Sequence, residues 1–222
     1  FMKVPFAPPR MDQRVIHEVA DTLLSGWITT GPKTKKFEKL LAAYCNVPNM
    51  LALNSATAGL EIMLRWFGVK EGDEVILPAY TYSATANVVI HCNAKPVFVD
   101  VGDDFNILPA ELEKAINKNT KVIMPVDFGG LPCDFQKINS IVQSENIKNK
   151  FVPANEVQQQ LGRILILSDA AHSFGASSNN IKTGALTDVT VFSFHAVKNL
   201  TTAEGGAIAL NLPKSFDNQS VY

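Results

Sequence analysis

Three cysteines in 222 residues are too few and too scattered to staple a fold or to cage a metal. Cys45, Cys92 and Cys133 are odd in number and form no CxxC pair, which reads as free thiols in a reducing compartment. Net charge is nearly absent as well: 20 basic against 21 acidic residues leave -1. No overall field therefore favours nucleic acid or an anionic membrane. No apolar run approaches the roughly 20 residues that span a bilayer, and the N-terminus lacks the basic, apolar and small-residue regions of a signal sequence. The expectation is a soluble cytoplasmic protein. GxGxxG and phosphate-loop fingerprints are missing too, so a plain nucleotide-binding domain has no support.

What the chain does have is apolar content of 46%, enough for a sizeable core in one large domain or two small ones. Short runs rich in β-branched residues recur at 74–78, 96–100, 122–126, 164–167 and 189–192, as in strands covered on both faces. Helical spacing lies between them. Thr57 to Phe67 places Leu60, Met63, Leu64 and Phe67 on one face, and 110–116 and 135–142 are weaker versions. Residues 9–25 and 33–44 read as N-terminal helices separated by a loop at Gly26 and Thr29 to Pro32. Residues 146–160 are polar and poorly patterned, which predicts a surface connection or short helix. The alternation argues for an α/β fold with a mostly parallel sheet flanked by helices.

Four places could carry chemistry. Lys198 sits between the apolar run Val191 to Phe194 and the pair Gly205-Gly206, where partial burial makes its charge costly unless it is used. Asp169 follows a buried strand, where open α/β sheets gather their ligands. Asn54-Ser55-Ala56-Thr57 opens a helix and offers free N–H groups and hydroxyls to an anion, with Ser193 as a third hydroxyl. Tyr80 and Tyr82 end another strand and could stack on a planar ring. Read singly, each has an ordinary alternative: a cap for Asp169 and for Ser55 or Thr57, a backbone-bonded serine at 193, core packing for the tyrosines. The glycine pair alone signals a tight turn, and His172 and His195 suit no metal set. Together, a strand-end acid, an anion site, a ring face and a semi-buried amine are the protein parts expected around pyridoxal 5'-phosphate.

The segments NSATAGL (54–60), LPAYTY (77–82), SDAAHSFGA (168–176) and FSFHAVKNLTTAEGG (192–206) resemble the DegT/DnrJ/EryC1/StrS aminotransferases, which act on nucleotide-linked sugars. The resemblance implies the large domain of fold-type I pyridoxal-phosphate enzymes over residues 33–212. It makes residues 1–32 an N-terminal helix and substrate loop, with Thr30 and Gly31 facing substrate. Residues 213–222 become the start of a smaller C-terminal domain of which the rest is missing. Lys198 would hold the cofactor as a Schiff base and shuttle the proton. Asp169 would keep the pyridine nitrogen protonated, and Tyr82 would stack on the ring. Ala56 through its N–H, with Thr57 and Ser193 through their hydroxyls, would bind the phosphate, and His172 would lie near the phenolic oxygen. Glutamate is the donor so implied, a keto-sugar nucleotide the acceptor, and a homodimer the assembly.

Two other readings keep the same fold. In a sugar dehydratase of the family a histidine replaces the Schiff-base lysine, and position 198 is lysine. A non-catalytic regulatory or binding relative would keep the fold without turnover, a reading that the abrupt end at Tyr222 favours and the intact Lys198, Asp169 and hydroxyl set opposes.

Overall fold

The computed structural model describes residue 2 and residues 8–216. The expected terminal segments therefore fall partly outside the described residues, at 1, 3–7 and 217–222. Strands β1 (Asn49–Leu53), β2 (Glu74–Pro78), β3 (Lys95–Val99), β4 (Thr120–Ile123), β5 (Leu165–Asp169), β8 (Val189–Ser193) and β9 (Gly206–Leu210) form one sheet in the order β1-β9-β8-β5-β4-β2-β3. The five strands from β8 to β3 pair in parallel, whereas β9 runs antiparallel to both β8 and β1. A two-residue-strand hairpin, β6 (Ser177–Ser178) and β7 (Ile181–Lys182), stands apart.

Among the described residues eight α-helices accompany these strands: α1 (Gln13–Leu24), α2 (Pro32–Cys45), α3 (Ala56–Trp66), α4 (Ser83–His91), α5 (Pro109–Ala115), α6 (Phe135–Gln143), α7 (Glu145–Lys148) and α8 (Glu156–Leu161). Every residue of β2, β5, β8 and β9 is buried, as continuous apolar runs require between two helical layers. Val75, Ile76 and Leu77 are wholly inaccessible, and each contributes about 1.5–3 kcal/mol through that burial. On one side Leu60, Met63 and Leu64 of α3 join the larger core; on the other, Leu41 and Cys45 of α2 pack with Met50, Phe192 and Phe194. Gly59 brings α3 down on the sheet, since a Cβ there would lie 2.8 Å from Val191 Cγ1. By contrast α1 buries no residue, and Ile16, Val19 and Leu23 on it are exposed. No helix of the described residues is long and apolar enough to cross a membrane.

Three expectations need correction. The short helix expected within 146–160 is present as α7 and α8, but the stretch does not lie wholly on the surface: Ile147 in α7 and Gln158 in α8 are buried, and the Gln158 side chain donates to the Phe67 carbonyl at 2.8 Å. Gly205-Gly206 is more than a tight turn, because Gly206 is the first residue of a buried strand. The run expected at 122–126 pairs as a strand from Thr120 to Ile123, followed by a single bridge from Val126 to Asp169.

The order of strands places the site. The chain leaves β2 for β3 on one side and then returns past β2 to β4, so the connections diverge at the β2–β4 neighbourhood. Ligands of open α/β sheets collect beyond the carboxyl ends of strands at such a switch. The carboxyl ends of β1, β2, β4, β5 and β8 all open on this edge, and antiparallel β9 begins there.

Candidate active site

At this edge lies a cavity of about 680 Å³. Strand β1 delivers Ser55, Ala56 and Thr57 to it, β2 delivers Tyr80 and Tyr82, and β4 delivers Asp127. Strand β5 brings Asp169 and, just after it, His172; β8 brings Ser193 and, through the following loop, Lys198. Seven of the nine residues singled out from sequence thus line one cavity. The other two do not. Thr30 lines a separate cavity of about 300 Å³ with Phe37, Asn54 and Phe194, and Gly31 is the N-cap of α2, beneath the Trp27 indole.

The anion side is built by α3. Ser55 adopts an extended backbone and its Oγ accepts from Ala58 N at 3.1 Å. The N–H groups of Ala56 and Thr57, ahead of it in the first turn, have no carbonyl within the helix to pair with, and they carry the positive end of its dipole. Gly206 permits this approach: a Cβ on it would meet Ala56 N, the Ser55 carbonyl carbon and Phe192 O, all under 3.0 Å.

Opposite lies a buried acid. Asp169 Oδ2 accepts from Thr85 Oγ1 at 2.8 Å, and its Oδ1 accepts from Ala171 N at 3.3 Å. Thr85 is wholly buried and also bonds Thr81 Oγ1 at 2.8 Å. Burial pushes the Asp169 carboxyl above its ordinary range; the Thr85 bond, then the backbone bond and the positive charge that His172 and Lys198 carry when protonated, oppose that. Asp169 makes no ion pair among the described residues, so it faces the cavity as a desolvated acid held by neutral donors. Asp127 is a second one. It accepts from Ser173 Oγ at 2.6 Å and Cys133 N at 3.0 Å, and burial pushes it up to about 6.

Thr85→Val keeps the shape and removes the donor. We expect it to cost about 1.5–3 kcal/mol, the range for a hydrogen bond to a charged group. The sign follows from the raised carboxyl: its stability contribution is present in acid and lost as pH rises through the folded-state titration of Asp169. Losing Thr85 raises that titration further, so the variant and the native protein converge in acid and diverge above it. Urea unfolding at both pH extremes checks this, and an equal loss at each would reduce Thr85 to packing.

Lys198 is half-buried. Burial pulls its amine below the ordinary lysine range and Asp169 pulls it part of the way back. His172, at the exposed rim, is also lowered, by burial and then by repulsion from Lys198. The lysine loop is pinned at several points. Thr201 Oγ1 and Thr202 N both donate to the Phe194 carbonyl, at 3.1 and 2.9 Å, and Lys198 N donates to His195 O at 2.9 Å. Asn199 Nδ2 donates to the carbonyls of His172 at 3.3 Å and Phe174 at 3.2 Å, tying this loop to the one after Asp169.

Ala203 in the same loop has φ 68°, a left-handed conformation unfavourable to a residue with a Cβ. Ala203→Gly is expected to raise stability by about 0.5–1 kcal/mol, the relief being offset in part by the entropy of the unfolded glycine. A thermal melt reads this directly.

Sequence reasoning missed Asp127, Thr85 and Asn199. Asp127 had a signal, since Val126-Asp127 follows its strand as Ser168-Asp169 closes β5. The other two had none, because their role depends on which loops meet. Among the described residues no cluster of three or more histidine, cysteine or acidic side chains could hold a metal ion.

A sequence profile of the DegT/DnrJ/EryC1/StrS aminotransferase family matches residues 9–149 and 154–220. Spr1654 from Streptococcus pneumoniae, assigned as a sugar aminotransferase and solved in a PLP-form, superposes with a TM-score of 0.96 at 44% identity, over 100% of this chain and 56% of that one. Helicobacter pylori PseC, an aminotransferase involved in the biosynthesis of pseudoaminic acid, superposes at 0.83 with 30% identity, over 98% of this chain and 55% of PseC. The Bacillus subtilis spore coat polysaccharide biosynthesis protein SpsC is 38% identical over 206 residues, 92% of this chain and 49% of SpsC. The chain spans about half the length of the curated relatives it matches.

Proposed function

This chain belongs to the DegT/DnrJ/EryC1/StrS aminotransferase family, and on that premise we propose that it carries the cofactor site of a pyridoxal-phosphate-dependent aminotransferase. In this reading an amino group passes from glutamate to a nucleotide-linked keto-sugar. The observation that carries it is that Lys198 and Asp169 line one cavity together with the N-terminus of α3.

The residues present fit the group. A desolvated acid with only neutral donors is suited to a cationic ring nitrogen, which would lower its raised titration and supply the missing ion pair. The unpaired N–H groups of Ala56 and Thr57, the Thr57 hydroxyl and Ser193 suit a phosphate dianion. Tyr82, 80% exposed at the start of α4, leaves a broad ring face free at the mouth.

When bound, pyridoxal phosphate supplies an electron sink for the pair left behind as a substrate carbon loses its proton. The rest is done by the chain. Asp169 would hold positive charge at the ring nitrogen by staying ionised, which its Thr85 and Ala171 donors favour. Lys198 would hold the group covalently, and its amine, when free, would be the base. Its lowered titration leaves more of it neutral than an ordinary lysine, so Nζ can take a proton from the substrate carbon and return it elsewhere. Asn199 keeps the loop, and hence Nζ, in register with His172. Thr30 and Gly31 face substrate in this reading, and a homodimer is its expected assembly.

Incubation with pyridoxal 5'-phosphate, borohydride reduction and peptide mapping tests the reading. We expect the adduct on Lys198, half-buried and beside a carboxylate, in preference to the fully exposed lysines. Labelling spread over surface lysines would favour the non-catalytic relative instead.

A further inference from the structure

Tyr80, Phe105 and Phe128 form a three-ring cluster at the cavity mouth. Ring centroids lie 5.2 Å apart for Tyr80 and Phe105, and 5.1 Å apart for both Tyr80 and Phe128 and Phe105 and Phe128. Tyr80 and Phe128 line the cavity that holds Lys198, whereas Phe105 lies beyond its lining, so the cluster runs from the cavity wall to the surface. Packing alone explains Phe128. It does not explain why Tyr80 and Phe105 stay 51% and 47% exposed.

The protein holds this arrangement against backbone preference. Phe105 has φ 63°, a conformation that bulky residues avoid, and it turns the ring toward Tyr80. Asn106, 3% exposed, fixes it: Oδ1 accepts from Phe128 N at 3.1 Å and Nδ2 donates to the Leu131 carbonyl at 3.2 Å. The Val101–Ile107 bridge closes the turn behind it. Thus the 101–107 turn is clamped onto the turn at 128–131.

We propose that the exposed Tyr80–Phe105 face is a stacking subsite for the planar base of the nucleotide carried by the sugar substrate. This rests on the aminotransferase reading, which sets the reacting sugar at Lys198 and leaves the nucleotide to extend toward the mouth. Asp103 and Asp104 in the same turn disfavour a phosphate there, so the uncharged base is the part the platform accepts. Stacking tolerates any base because every base has a π-face, which predicts weak discrimination among nucleotides at this position.

The test is calorimetric titration of the full chain with UDP, TDP and GDP, and with inorganic pyrophosphate as the probe lacking a base. Nucleoside diphosphates are expected to bind more tightly than pyrophosphate. Tyr80→Ala and Phe105→Gly should each weaken them by roughly tenfold, with pyrophosphate unaffected and Tyr80→Phe close to native. Phe105→Gly also relieves the positive φ, so a loss of affinity there is not a loss of fold. Unchanged nucleotide affinity in both variants, or pyrophosphate binding as tightly as the nucleotides, overturns the subsite. So does loss of self-association in Phe105→Gly without loss of nucleotide affinity, which would give the face to a second copy of the chain. Borohydride labelling of Lys198 in the same samples separates the two readings: labelling retained with no effect on nucleotides sinks only the subsite, and labelling absent from the native chain sinks the aminotransferase reading.

Discussion

Lys198→Ala is expected to remove the borohydride-stable adduct and to lower the half-reaction with glutamate by at least the roughly 10²–10⁴-fold that a positioned acid–base group supplies. In the proposed reading the loss should exceed that of any other single change at the site, because one amine would both anchor the cofactor and move the proton. The fold should survive. Lys198 makes no side-chain hydrogen bond among the described residues, and the loop is held instead by Thr201, Thr202 and Asn199. Truncation leaves a space next to Asp169 into which a small primary amine can diffuse. Ethylamine should therefore restore part of the rate, in proportion to its free-base fraction. Rescue of that kind distinguishes a missing base from a collapsed loop. A variant that keeps more than a tenth of the native rate without added amine would remove Lys198 from the mechanism. Lys198→Arg offers a second check, because a guanidinium that stays protonated keeps the charge near Asp169 but cannot serve as the base.

Much of this site was legible because the residues that matter stand at strand ends, and strands buried on both faces announce themselves. Val75 to Leu77 is an apolar run bounded by Glu74 and Pro78, and the observed β2 has the limits so marked. The same logic located Asp169 and Ser193. Strands β1 and β9 escaped because Asn49-Met-Leu-Ala-Leu53 and Gly206-Ala-Ile-Ala-Leu210 are built from small or helix-favouring residues. Their β structure comes from pairing with each other and with β8, a tertiary cause that no local window contains. Helix α4 was missed for a related reason. Ser83-Ala-Thr-Ala-Asn-Val-Val-Ile carries little polar contrast, and only Thr85, Val88 and Val89 turn out to be buried. That helix is what lowers Thr85 onto Asp169, so the missed element and the missed residue are one omission. Thr30 and Gly31 show the converse. Their motif is clear in sequence, yet they lie outside the Lys198 cavity, since a motif specifies a local turn and not which cavity the turn faces.

The largest expected loss of stability lies at the opposite edge of the sheet. Arg163 and Asp188 form a bidentate pair, with Nη1 to Oδ2 and Nη2 to Oδ1 both at 2.7 Å, and the residues are 9% and 6% exposed. Asp188 Oδ2 also accepts from Ile166 N at 3.0 Å, so one carboxylate joins the amino ends of β5 and β8. Arg163→Met leaves that carboxylate buried without its cation and is expected to cost about 3–5 kcal/mol. The further change Asp188→Asn removes the stranded charge while keeping an oxygen for Ile166 N. The double variant should therefore recover most of the loss. Urea unfolding of the two single variants and the double, analysed as a cycle, measures the coupling directly. Because Asp169 and Ser193 sit at the far ends of these same strands, the folded fraction of each variant should still label at Lys198. An equal loss in the single and the double would mean that packing of the arginine stem, and not its charge, fastens β5 to β8. Loss of labelling in the folded fraction would mean instead that the register of the two strands is set at this edge and transmitted through them to the site.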